Sequence, residues 1–210
     1  MLIKFNDICK KYVFLPRGII HIGAHELEEM SDYTAAGVNN IIWVEGNPSL
    51  IEAGIRKTEG TPQKFLHGLI YDEDDIELDF NITNNMQSSS ILKFGKHKEY
   101  HPHVDVIDVI KIKSTRIDTL LENNNISKND YDFLNLDIQG VELRAIKSCG
   151  EYLDNIKYIY TEVNSGEVYE RNDLIEGIDE FLTGKGFSRV ETSMTQYEWG
   201  DAFYIKKDLL

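Results

Sequence analysis

The chain has 210 residues, 41% hydrophobic and 28% charged, which predicts one soluble α/β domain over residues 1–210 with a core on both faces of a sheet. Its net charge of −14 argues against nucleic acid or an anionic membrane surface as a main partner. Two cysteines, Cys9 and Cys149, make neither a disulfide framework nor a metal-type spacing; with no signal-like N-terminus and no apolar run of membrane length, the expectation is a cytoplasmic protein.

Residues 1–16 read as a short amphipathic lead-in packed on the sheet edge. Ile19, Ile20 and Ile22 then form a buried strand running into the small corner Gly23-Ala24. Leu27, Met30, Tyr33 and Thr34 follow at helical spacing, up to a C′ glycine at Gly37. A second apolar strand, Asn40 to Glu45, ends in a carboxylate, and Asn47-Pro48 opens a helix to about Lys57. Lys64 to Ile70 reads as a third strand. Ile76 to Ile82 alternates cleanly, as a half-buried and antiparallel strand does.

Residues 84–104 show neither period and are polar, so they read as a long ordered loop over the site. Val106 to Lys113 returns as a strand and Arg116 to Glu122 as a short helix. Tyr131 to Asp137 and Ile156 to Asn164 are core strands with polar ends, and Gly140 opens a helix between them. An amphipathic helix with Leu174, Ile175, Ile178, Phe181 and Leu182 precedes a hairpin-like pair at 187–192 and 201–206. The fold class is α/β and Rossmann-like: a mostly parallel seven-stranded sheet, an antiparallel last strand and an inserted strand-loop segment.

Ligands of open α/β sheets bind beyond the carboxyl ends of the strands. The residues there are Gly23, Ala24, Glu45, Asp137, Gln139, Glu162 and Asn164, and they are expected to share one crevice. A glycine turn after one strand and an acid ending the next suit a nucleoside, the acid accepting bonds from two ribose hydroxyls. The turn holds one glycine with three acids close behind, Glu26, Glu28 and Glu29, where a dinucleotide site has G-x-G-x-x-G. Those acids repel a pyrophosphate and tolerate the sulfonium and amino acid of S-adenosylmethionine. Taken alone, Gly23-Ala24 is equally a tight strand-to-helix turn; Glu45 favours the cofactor reading.

The runs Ile-His-Ile-Gly-Ala-His, Trp-Val-Glu-Gly-Asn-Pro, Gln-Ser-Ser-Ser, Leu-Asn-Leu-Asp-Ile-Gln-Gly-Val-Glu-Leu, Thr-Glu-Val-Asn and Trp-Gly-Asp-Ala, in this order over about residues 17–206, resemble FkbM-family methyltransferases. The resemblance implies a class I S-adenosylmethionine-dependent fold and O-methylation of a hydroxyl on a sugar or natural product. It also implies that Gly23, Ala24 and His25 match the cofactor loop, Glu45 the ribose acid, and Asp137 the acid beside the transferred methyl. Family members usually carry a second glycine where this chain has Leu27, a departure expected to narrow the methionine end of the pocket.

A sugar hydroxyl needs a base or a metal to become a good nucleophile. The candidate bases are Asp137, Glu162 and His97, with His101 as a further one. Oxygen ligation of Mg²⁺ by Asp137, Glu162 and Asn164 ranks below metal-free catalysis, and a zinc site on His97, His101 and His103 lower still. Gln87, Ser88, Ser89, Ser90, Gln139 and Asn164 offer neutral donors and acceptors to an acceptor's hydroxyls, and Trp199 a stacking surface beside Tyr100 and Tyr169. The serines equally suit the cap of a helix starting near Ile91. The expected partner is a small-molecule or glycan acceptor. Two alternatives stay open: a protein or amine acceptor, and a nucleoside-binding module without catalysis.

Overall fold

The computed structural model describes residues 1–210. Its centre is a run of parallel strands: β1 (Ile19–Ile22), β2 (Ile41–Glu45), β3 (Lys64–His67), β7 (Phe133–Leu136) and β8 (Tyr158–Asn164). Every residue of β1, β2 and β7 is buried, because helices cover both faces of the sheet. The hairpin β9 (Phe187–Met194) and β10 (Trp199–Lys206) completes the order β3-β2-β1-β7-β8-β10-β9, with β10 antiparallel to both neighbours. β1 lies between β2 and β7, so the strand order reverses there, and the crevice opens beyond that point.

Alternation along the strands divides the core in two. Ile20, Ile22, Ile42, Val44, Leu134 and Leu136 face α5 (Ile117–Asn123), α6 (Glu142–Lys147), α7 (Tyr152–Asn155) and α8 (Ile175–Gly184). Ile19, Ile41, Trp43 and Phe133 face α1 (Phe5–Lys11) and α2 (Met30–Ala36). The lead-in therefore lies on a face of the sheet and not on its edge, with Phe5 packed edge-on against Tyr33 and Phe133. α3 (Pro48–Thr58) starts as expected, with the Asn47 side chain accepting from the Ser49 N–H. No helix is long and apolar enough to cross a membrane.

Three expectations are corrected. The helix after the glycine turn starts only at Met30, because His25 (φ 42°) and Leu27 (φ 66°) take left-handed backbone. The third strand breaks at Gly68, and its second part, β4 (Leu69–Ile70), leaves the main sheet to pair with β6 (Val106–Thr115). β6 also pairs antiparallel with β5 (Glu77–Thr83), giving the small sheet β4-β6-β5. Finally, residues 84–104 are ordered as expected but carry structure of their own. Ser90 bridges to Asn81, Phe94 bridges to Tyr169, and α4 (His97–Tyr100) forms a short helical turn. No helix starts near Ile91; the serines tie the segment down instead.

Candidate active site

A cavity of about 490 Å³ opens beyond the ends of β1, β2 and β7, within the range of about 300–1,000 Å³ usual for small-ligand sites. It brings together Gly23, His25, Glu45, Asp137, Gln139, Glu162 and Trp199 with Gln87, Ser88, Ser89, Ser90 and His97 of the inserted segment. Three expected residues are not in its lining: Tyr100, whose hydroxyl donates to Glu198 Oε2 at 2.9 Å, Ala24 and Asn164. Ala24 is buried, and its N–H donates to the Val44 carbonyl at 3.0 Å. Asn164 is fully buried, and its side-chain amide has no hydrogen-bond partner.

Gly23 is required where two stretches of the backbone cross. Its φ is +86°, and a Cβ there would lie 1.8 Å from the Asp137 carbonyl oxygen. Its N–H donates to Val44 O at 2.9 Å, which closes the turn onto β2. Glu45 then ties two loops together: Oε2 accepts the His25 N–H at 2.8 Å and Oε1 the Asn47 N–H at 2.6 Å. Burial pushes the Glu45 carboxyl up, and these N–H donors pull it down. Each oxygen retains lone-pair capacity toward the cavity. Leu27 lies apart from this, 5% exposed in the apolar cluster with Ala24 and Tyr33 and outside the lining, so it does not narrow the pocket. Its φ of 66° is backbone that a glycine takes without strain.

At the end of β7, Asp137 is exposed to the cavity. The Gln139 amide nitrogen donates to Asp137 Oδ1 at 2.6 Å and lies 2.9 Å from Glu162 Oε2. Gln139 has φ 59°, and the Tyr169 hydroxyl donates to its Oε1 at 2.7 Å. One amide, oriented by one phenol, thus bridges both carboxyl groups. Burial pushes Glu162 well above the usual carboxyl range, helped by the charges of Asp137 and Glu142 and by a hydrogen bond with Asp137. These surroundings favour the uncharged form of Glu162. Asp201, opposite Glu162 on β10, is also buried and accepts from the Tyr160 hydroxyl and the Leu2 N–H.

Much of the inserted segment's polar capacity is spent within the protein. Ser90 Oγ donates to the Gln139 carbonyl at 2.8 Å, and Ser89 Oγ accepts the Thr83 N–H at 3.1 Å. Ser88 Oγ accepts from the Asn85 amide at 3.0 Å and sits 3.2 Å from His97 Nε2. His97 is 5% exposed, stacked on Phe94 with ring centroids 4.3 Å apart, so it is no surface residue. Burial lowers its pKa to about 4, and its Nδ1 has no protein partner. His101 and His103 also line the cavity, but the three rings sit at centroid separations of 5.0 and 6.1 Å along the segment. No three His, Cys, Asp or Glu side chains are placed to hold a metal ion.

Sequence reasoning missed Tyr169 as the orienter of Gln139, and Asp201 as a lining residue. Asp201 stands in the quoted Trp-Gly-Asp-Ala run, where only Trp199 was singled out. Tyr169 carries no local signal, since its partner is 30 positions away.

A sequence model described as the methyltransferase FkbM domain matches residues 21–189. The chain belongs to the FkbM methyltransferase family. Among solved structures, WbdD superposes with a TM-score of 0.51 at 7% identity, covering 97% of this chain and 38% of that one. The chain thus spans about two fifths of that structure's length. The 1,6-didemethyltoxoflavin-N1-methyltransferase of Burkholderia thailandensis, solved with S-adenosylhomocysteine, gives 0.51 at 10% identity, covering 97% and 76%. The putative Escherichia coli methyltransferase yhhF gives 0.50 at 7% identity, covering 96% and 82%. No curated protein matches the sequence. Family and fold are those of class I S-adenosylmethionine-dependent methyltransferases.

Proposed function

We propose that this methyltransferase uses S-adenosylmethionine to methylate a hydroxyl group of a carbohydrate or glycosylated product. The observation that carries the reading is the meeting, in one cavity, of a ribose-type acid on β2, an open carboxylate on β7 and a segment of neutral hydrogen-bonding side chains. The residues fit the cofactor: Glu45 keeps lone pairs for ribose hydroxyls, and the surrounding acids suit a ligand with a sulfonium and an ammonium group. When bound, S-adenosylmethionine supplies an electrophilic methyl group.

The chain's own work is positioning and proton removal. Asp137 accepts the proton of the acceptor hydroxyl, since it is exposed to the cavity and its neighbour Glu162, favoured in the uncharged form, spares it the repulsion a second charge would bring. Gln139 holds both carboxyl groups in place. His97, neutral with a free Nδ1, presents an acceptor of hydrogen bonds on the segment's side. Ser88 and Gln87 add neutral contacts and Trp199 an aromatic surface.

The test is a panel of neutral glycosides incubated with the enzyme and S-adenosylmethionine, with S-adenosylhomocysteine release and product O-methyl signals measured. Turnover of a glycoside hydroxyl is expected. Turnover of an amine or a peptide in its place would contradict the hydroxyl reading.

A further inference from the structure

Resting on the reading just given, the chemistry of the lining narrows the acceptor further. The cavity contains the carboxyl groups of Glu28, Glu29, Glu45, Asp137 and Asp201 beside Glu162, whose burial favours its uncharged form, and neither a lysine nor an arginine. The nearby amines of the inserted segment lie outside the lining: Lys96 is paired with Glu198 and Lys98 with Asp105. A second, independent observation concerns the backbone. N–H groups at strand ends are the usual cradle for phosphate in α/β folds. Here the protein's own acceptors already fill them. Gly23 and Ala24 donate to Val44 O, and His25 and Asn47 to Glu45. Beyond β7, Ile138 and Gly140 donate to the buried carboxyl of Glu142, at 3.2 and 3.0 Å. An internal oxygen acceptor, a backbone carbonyl after β1 and a side-chain carboxyl at the other two positions, thus sits in each place where a phosphate would be held.

We infer that the acceptor carries no phosphate or carboxylate near the reacting hydroxyl: the enzyme methylates a sugar that is neutral or cationic, after glycosyl transfer has released it from its activated phosphate form. The class of reaction that supplies the substrate is therefore glycosyl transfer from a nucleoside diphosphate sugar, and methylation follows it. Two like unit charges about 8 Å apart in a partly buried site, at an effective dielectric near 20, weaken binding roughly thirtyfold. A phosphate meeting more than one of these carboxylates loses more, and the one ammonium of the lining, that of Met1, is already engaged by Glu29 at 3.7 Å.

The experiment compares each glycoside of the panel with the same sugar as its 1-phosphate and its uridine diphosphate derivative. In parallel, uridine diphosphate is titrated into the protein saturated with S-adenosylhomocysteine. At least about 100-fold lower kcat/KM for the phosphorylated forms is expected, with no uridine diphosphate binding up to millimolar concentration. Equal or better turnover of a phosphorylated form would overturn the inference, as would uridine diphosphate binding below about 0.1 mM. If no sugar of either kind is turned over, the hydroxyl reading fails, and the titration alone still decides whether the cavity rejects phosphate.

Discussion

Glu45 holds the N–H groups of His25 and Asn47 while facing the cavity, so its removal acts on loop geometry and on ligand together. Glu45→Gln puts an amide against one of those N–H donors. It should weaken S-adenosylhomocysteine binding by about 1.5–3 kcal/mol, the scale of hydrogen bonds to a charged group, read by calorimetry beside a melting curve. At Asp137 the near-isosteric Asp137→Asn should keep the fold and lose about 10²–10⁴-fold in turnover as the general base disappears. A fully active variant would remove Asp137 from the chemistry. Glu162 gives a pH signature. Its folded pKa is raised, so the stability it contributes is complete below its ordinary value of 4.5 and is lost as pH rises toward the folded value. Between pH 5 and 8 the wild type should therefore lose stability relative to Glu162→Gln, by at most about 1.4 kcal/mol per pH unit. Urea titrations of both proteins across that range measure it, and parallel curves would contradict a protonated Glu162. At this scale the sequence marked the strand-end acids, because a polar residue ending an apolar run stands out. It did not mark which acid is pushed toward its uncharged form, since that depends on Asp137 beyond β7 and Glu142 at the start of α6 meeting Glu162 on β8.

The turn after β1 shows why an element can be legible while its cause is not. Gly23-Ala24 announces a sharp corner, yet the glycine answers to the carbonyl of Asp137, 114 positions later in the chain. Gly23→Ala meets both a left-handed φ and a backbone clash, so it should cost about 3 kcal/mol or more of unfolding free energy, measured by denaturant titration. The inserted segment is the element read least well. Its polar composition suggested an ordered loop without naming its anchors: Gly95 and His97 donate to the Val168 carbonyl and Lys96 to that of Glu167, fastening it to the loop after β8. Such cross-links between distant stretches leave no periodic trace. The same loop carries Tyr169, which orients Gln139. Tyr169→Phe should lower kcat several-fold with little change in affinity for S-adenosylhomocysteine; an equal fall in both would make Tyr169 a ligand contact instead.

Across the whole molecule, the parallel sheet was legible because strands covered on both faces read as nearly continuous apolar runs, and β1, β2 and β7 are such runs, broken within only by the buried His21 and Asn135. The β9–β10 pair was legible for its two segments at hairpin separation. The departure of β4 from the main sheet was not, because Lys64 to Ile70 is one apolar stretch and only Gly68 marks the break. The consequence for function is a single crevice at the reversal of strand order, lined by Glu45, Asp137 and the inserted segment. S-adenosylmethionine is expected to enter that crevice against Glu45. The most direct test is calorimetric titration of S-adenosylhomocysteine into the wild type and Glu45→Gln, with NAD as a control ligand. Saturable one-site binding to the wild type, weakened by about 1.5–3 kcal/mol in the variant and absent for NAD, is the predicted result. Wild-type protein that ignores S-adenosylhomocysteine, prefers NAD, or binds unchanged without Glu45 would contradict it.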